Sequence, residues 1–254
     1  MRRFFSIQPL KTAGQIVGVS PSETHHLRHI IRLKIGDPCL LTDGLGLEAE
    51  ATITEFLEDG TSRLKVEKIT KAYPAQSGIR IRVFPALTKT DKMDDLVEKA
   101  QELGVEEFWP VHAERSILSI KEDKQPKVLS RWEKKAREAA KQSGSLNLLR
   151  IEPPQSFKQT VERIPPKEPM ILFHPTAKAI SFKQWIQRMD RDAGILNLFF
   201  GPEGGYMEEE IEFAKTLREK TGSSCTIVSL GRTILKIDTA FVGVISAVKF
   251  LLSS

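Results

Sequence analysis

The hydrophobic period of this chain changes once, around residues 73–78, and that change constrains the fold more than any other feature of the sequence. Before it, apolar residues recur at every second position: residues 48–53 and 62–69 alternate polar and apolar, as half-buried strands do. Asp43-Gly44, set between the apolar runs of 41–46, predicts a hairpin turn. One helix interrupts these strands. Ser20 is placed to cap it, Pro21 suits the first helical position, and Glu23 follows the cap by three residues. That helix is expected to run to about Leu33 and to end before Gly36. The first segment therefore reads as a small β-barrel with one helix, and Tyr73-Pro74-Ala75-Gln76-Ser77-Gly78 reads as a linker.

Beyond the linker, strands and helices take turns. Strands are expected at 79–84, 107–111, 148–151, 169–173, 195–200 and 224–228. A helix capped by Thr90 carries Met93, Leu96, Val97, Ala100 and Leu103 on one face and stops at Gly104. Others are expected at about 126–142, 156–163, 208–220 and 236–252. Such alternation implies an α/β domain with a mostly parallel sheet covered on both faces. The predicted division is 1–73 and 74–254. No internal repeat occurs.

Composition excludes several classes. With 40% hydrophobic residues and a net charge of only +5, the chain is neither disordered nor of low complexity. Two cysteines, Cys39 and Cys225, make no disulfide scaffold. The start has two arginines but no sustained apolar run, so it is no secretory signal. The apolar stretch Ala240 to Leu252, interrupted by Ser246 and Lys249, is too short to span a bilayer. A cytoplasmic protein without membrane partners is expected. The densest basic stretch is 121–141, with eight basic and four acidic residues. It is either a solvated helix face or a surface for nucleic acid.

In parallel sheets, ligands bind where strand C-termini open into loops. Three such loops stand out: Phe173-His174-Pro175, Gly201-Pro202-Glu203-Gly204-Gly205 and Ser229-Leu230-Gly231. Their glycines let a ligand approach the backbone closely. The glycine fingerprints of dinucleotide and P-loop sites do not occur. Neither does the nucleophile elbow of serine hydrolases. His25, His26 and His29 have spacing that could place two imidazoles on one helix face, but no cysteine or carboxylate pattern completes a zinc site. Packing or RNA contact suits them better, and no metal is expected. Trp109, Trp132 and Trp185 lie in periodic segments and read as packing residues.

Taken in order, these pieces resemble the small-subunit ribosomal RNA uridine-N3 methyltransferase family of the SPOUT, or α/β-knot, superfamily. The resemblance runs nearly end to end. It is carried by Arg2-Arg3-Phe4-Phe5, residues 25–37, residues 92–105, Glu114-Arg115-Ser116, Arg131-Trp132, residues 138–144, the glycine loop 201–205 and residues 229–240.

The resemblance implies a PUA-like β-barrel domain that binds RNA, followed by a knotted α/β methyltransferase domain. Spacing alone could not have shown a knot. It also implies a homodimer, S-adenosylmethionine as cofactor and small-subunit ribosomal RNA as partner, within the assembled 30S subunit. Carried onto this sequence, the cofactor residues are Leu172, Phe173, His174, Gly201, Glu203, Gly204, Leu230, Gly231 and Leu235. Expected catalytic residues are Arg3, Arg115, Glu203 and Lys236. Expected RNA contacts are Arg2, Arg3, His25, His26, Arg28, Arg32, Lys34, Lys89, Lys134, Lys135 and Arg137.

Four positions depart from the family pattern: Thr233 and Lys236 stand where arginine is usual, Asp238 where glutamate is, and Ser145 where arginine follows the Gln-Ser-Gly element. Lysine keeps the charge at 236 but loses the planar fork.

Uracil N3 carries a proton and is a poor nucleophile until it is removed. Cations aimed at O2 and O4 would stabilise the resulting anion. Arg2 or Arg3, Lys89, Arg115 and Lys236 are candidates for this, and Glu203 or Glu138 for base or orienting residue. Two other readings remain open: a relative methylating another RNA position, such as a ribose 2′-oxygen, and a non-catalytic RNA-binding assembly factor.

Overall fold

A computed structural model describes residues 2–73, 79–176, 179–190 and 194–252, the last without its side chain. Residues 74–78 of the expected linker lie outside the described residues. The chain separates into two compact units. One is Met1–Ser77 with Ala140–Leu148; the other is Gly78–Ala139 with Leu149–Ser254.

The first unit is built on a five-stranded sheet ordered β1-β3-β4-β5-β2. Its strands are β1 (Arg3–Phe5), β2 (Ile16–Val19), β3 (Pro38–Thr42), β4 (Leu47–Phe56) and β5 (Ser62–Ala72). The outer strands also meet. Ser6 bridges Val19, and the Ile7 amide donates to the Gly18 carbonyl, so the sheet closes on itself and hides its edges. The two-residue alternation puts Val17, Leu41, Ala51, Ile53 and Leu64 inside.

The interrupting helix is shorter than the sequence implies. α1 (Pro21–His25), with Ser20 Oγ accepting from the Glu23 amide, passes into a π-helical turn at His26–Ile30. There the Ile31 amide reaches the His26 carbonyl, one residue beyond the α-helical partner. Arg32 then takes φ +64°, which ends the helix.

The second unit carries a parallel sheet ordered β12-β14-β11-β13-β6-β7-β9. These strands are β6 (Arg80–Pro85), β7 (Glu107–Phe108), β9 (Arg150–Ile151), β11 (Met170–Phe173), β12 (Ile180–Ser181), β13 (Ile195–Phe200) and β14 (Cys225–Ser229). A two-stranded sheet pairs β8 (Val111–His112) with β10 (Gln155–Ser156). The strand expected over 107–111 is thus split between two sheets. Pro110 has no amide to donate and separates the halves.

The helices are α2 (Thr90–Glu102), α3 (Gln125–Ser143), α4 (Phe157–Arg163), α5 (Phe182–Arg188), α6 (Glu208–Lys220) and α7 (Ile237–Leu252). Thr90 is the first residue of α2 and not its cap. Lys89 holds the cap position and makes no side-chain cap bond. The α2 face bearing Met93, Leu96, Val97 and Ala100 is buried as its period implies. β12 and α5 had no counterpart in the sequence reading, although Ser181 and Gln184 form a capping box there. Trp132 and Trp185 are buried, and Trp109 is held between Arg82 and Arg163. No helix among the described residues is long and apolar enough to cross a membrane.

Candidate active site

The central strands β14, β11 and β13 are neighbours and run parallel. Phe173 lies level with Phe200 on one side and Val228 on the other, so all three strands end at one edge of the sheet. The loops leaving them converge there, as strand C-termini in such sheets generally do. They enclose a cleft of about 490 Å³ lined by residues 173–175, 200–205, 230–231, 233–237 and Ala240. That volume suits a small-molecule ligand. Sequence reasoning chose the same three loops, but its cofactor residues left out Pro202, Gly205, Ile234 and Ile237 among those that line the cleft.

The glycine loop 201–205 is held by a different side chain at each glycine. A Cβ on Gly201 would lie 3.0 Å from the Tyr206 ring, one on Gly204 would lie 3.2 Å from Arg115 Cδ, and one on Gly205 would lie 2.7 Å from His174 Cε1. Gly205 also has φ +70°, so its backbone shape and its close neighbour both demand glycine. The Gly205 amide donates to the Pro202 carbonyl, closing the turn. Arg115 Nη1 donates to the Gly204 carbonyl at 2.7 Å. Lys92 Nζ lies 2.9 Å from Glu203 Oε1.

Electrostatics divide the site. The Lys92 hydrogen bond and charge, with help from Lys89 and Lys236, hold the Glu203 carboxyl below its ordinary range. Glu203 is therefore a stable anion and a poor proton acceptor at neutral pH. Burial pushes the His174 imidazole down, with Arg115 acting the same way and Glu208 opposing. His174 is thus neutral at pH 7, and its Nδ1 is buried without a protein partner. Burial raises the Tyr206 phenol well above its usual range, so it stays protonated.

Of the expected cofactor residues, Phe173, His174, Gly201, Glu203, Gly204, Leu230, Gly231 and Leu235 line the cleft. Leu172 does not: its side chain is fully buried in the hydrophobic core, because successive strand residues face opposite sides. Lys236 lines the cleft, as does Thr233, one of the departing positions. Lys89 is exposed at the start of α2.

Arg3 belongs to the first unit, where its guanidinium is engaged by the buried Glu48 carboxylate. Nearby in that unit, Arg28 lies over the Phe56 ring, His25 stacks on His29, and His26 meets Phe4 edge-on. Arg2, Arg32 and Lys34 are exposed there. On α3, Lys134 and Arg137 are exposed and Lys135 is half-buried. Lys92 and Tyr206 were missed as site residues. Lys92 stood inside the 92–105 motif and Tyr206 directly follows the glycine loop, but neither position told which neighbour its side chain would meet.

The RNA methyltransferase domain family matches residues 75–249, most of the chain and all of the cleft. This chain belongs to that family. The RNA methyltransferase PUA domain matches residues 19–56, within the closed barrel. The methyltransferase chain is 28% identical over 236 residues to the ribosomal RNA small subunit methyltransferase E of Bacillus subtilis, covering 91% of this chain and 89% of that one. It is 27% identical to the enzyme of the same name from Synechocystis, covering 98% and 77%. Among solved structures, it resembles a ribosomal RNA small subunit methyltransferase E from Neisseria gonorrhoeae bound to S-adenosyl methionine, with a TM-score of 0.79, 26% identity, and 99% and 98% of the two chains covered.

Proposed function

We propose that the protein transfers a methyl group from S-adenosylmethionine to N3 of one uridine in small-subunit ribosomal RNA. The observation that carries this reading is the cleft at the ends of β14, β11 and β13, walled by the glycine loop, in a chain of the RNA methyltransferase family. The structure from Neisseria gonorrhoeae with S-adenosyl methionine bound supports the choice of cofactor.

The cleft fits such a group. At Gly205 a Cβ has no room beside His174, and the apolar side chains Phe173, Leu230, Leu235 and Ile237 suit a purine face. His174, Gly201, Gly204 and Gly231 offer polar or backbone atoms beside them. Leu172 contributes packing behind the loop. S-adenosylmethionine supplies a methyl group already activated by its sulfonium. The chain's own task is to orient the uridine and stabilise the uracil anion, so positioning carries much of the rate. Lys236 on the cleft wall, Lys89, and Arg115 beside Gly204 are the cations assigned to this task in the second unit. Glu203 acts as an orienting anion. Glu138, exposed on α3, is kept as a candidate base.

The first unit, with Arg2, Arg3, His25, His26, Arg28, Arg32 and Lys34, is the RNA-positioning part. In the second unit, Lys134, Lys135 and Arg137 on α3 are assigned to RNA contact in the same reading. The 30S subunit, a homodimeric state, a cytoplasmic location and an α/β knot belong to the same reading. Phe250, exposed on α7, is an apolar side chain that a second copy would cover. Sedimentation at micromolar concentration should give twice the chain mass.

The decisive experiment uses small subunits from a strain lacking the protein, S-adenosylmethionine labelled in its methyl group, and mass spectrometry of the RNA nucleosides. The expected product is a single 3-methyluridine. Label on a ribose oxygen would move the activity to another RNA position. RNA binding without transfer would favour a non-catalytic assembly factor, a reading kept in view by Thr233 on the cleft wall.

A further inference from the structure

The mouth of the cleft holds a charge arrangement in which one member, Lys92, lies outside the cofactor and RNA assignments. Glu203, half exposed, projects from the glycine loop, and the Lys92 ammonium from the first turn of α2 reaches it. Lys89 and Lys236 act on the same carboxylate from the α2 cap and from the segment before α7. Asp91 and Asp238 in turn act on Lys92. Beside Glu203, the Gly204 carbonyl is taken by Arg115. Two cations from separate elements therefore hold two successive residues of the loop.

We propose that Lys92 is a positioning residue for methyl transfer: it fixes the Glu203 carboxylate at the mouth of the cleft as an acceptor for a ribose hydroxyl of the bound ligand. This deepens the functional reading above and rests on it. A carboxylate kept ionised by an adjacent ammonium can only accept hydrogen bonds, and ribose hydroxyls are the donors that a nucleoside ligand offers beside its base. The ribose belongs either to the cofactor or to the target nucleotide. A freely rotating Glu203 would accept the same bond only after losing side-chain freedom, and the Lys92 contact removes that freedom in advance.

The test uses the full chain and the variants K92Q, K92R, E203Q and K92Q/E203Q. Three quantities are read: affinity for S-adenosylmethionine by calorimetry, single-turnover transfer to small subunits, and melting temperature. K92Q should weaken one functional quantity by about threefold to fivefold, the scale of a partly exposed ion pair. K92R should restore it. In the E203Q background, K92Q should cost nothing further, because both changes remove one interaction. Loss of cofactor affinity assigns the ribose to the cofactor; unchanged affinity with slower transfer assigns it to the RNA.

In carbon-13 spectra, the Glu203 carboxyl should titrate at a higher pH in K92Q than in the wild type, a readout that needs no activity. Unchanged affinity and rate in K92Q, additive losses in the double variant, or failure of K92R to rescue would each overturn the proposal. Absence of transfer by the wild type overturns the functional reading instead, and the coupling of Lys92 to Glu203 is then decided on cofactor affinity alone.

Discussion

At the scale of single residues, the site depends on atoms that are missing. Gly205 is left-handed and its Cα faces the His174 ring, so Gly205→Ala meets both backbone strain and a 2.7 Å contact. His174 can yield only by moving within the cleft wall. The left-handed strain should lower stability by about 1 kcal/mol, and displacement of His174 from the cleft wall should weaken S-adenosylmethionine binding; thermal melts and calorimetry measure the two. Unchanged affinity would remove the loop from the binding site. Arg3 presents a different problem. Its partner Glu48 is buried and has Lys71 as its other cation. Arg3→Ala should destabilise the first unit by about 2 kcal/mol, as leaving a buried carboxylate partly unpaired does. It should also slow methyl transfer. Denaturant melts separate the two effects: a loss of transfer confined to conditions near unfolding would leave Arg3 with a structural role only.

At the scale of elements, α3 shows how far periodicity reaches. Its buried face, with Trp132, Ala136, Ala139 and Ala140, follows the helical period. Trp132 Nε1 donates to Asp94 on α2, a partner that no local pattern names. The opposite face carries Lys134 and Arg137 outward. Reversing Lys134, Lys135 and Arg137 to Glu should weaken RNA binding and flatten its salt dependence, because fewer counterions are released. Filter binding across a salt series measures both. If neither changes, this face is only a solvated one. The α2 element was legible through its apolar stripe, yet Lys92, on its first turn, gained its role only because the glycine loop of a distant strand comes alongside.

At the scale of the whole molecule, the second unit buries a charged network within its parallel sheet. Arg82 donates to Glu107, Glu168 and Asn197, while Trp109 and Arg150 also engage Glu107. Burial works to raise the Glu107 carboxyl, but the bonds from Arg82 and Trp109 and the charges of Arg82 and Arg150 outweigh it and hold it below its ordinary range. A depressed carboxyl contributes stability above its unfolded pKa of about 4.3 and loses it as pH falls through the folded value. The melting temperature should therefore drop steeply below about pH 4. Glu107→Gln should lower it at neutral pH and flatten the acid limb. An acid limb unchanged by that substitution would assign the sensitivity to other groups.

The sequence by itself determined the parts whose causes are local. Period two before residue 73, strand–helix alternation after 78, the capping signals and the three glycine-bearing strand ends all depend on neighbours a few residues away. The order of its motifs likewise sufficed to point to a methyltransferase family. The tertiary structure alone decided what distant residues do to one another. It turned the end of the first helix into a π-turn, split the 107–111 segment between two sheets, and grouped 140–148 with the first unit. It put Leu172 in the core, gave Arg3 to Glu48, and set Tyr206, Arg115, His174 and Lys92 around one five-residue loop. The physical reason is that such contacts join residues up to more than a hundred positions apart. Their energies depend on which strands lie side by side, and hydrophobic period does not encode strand order.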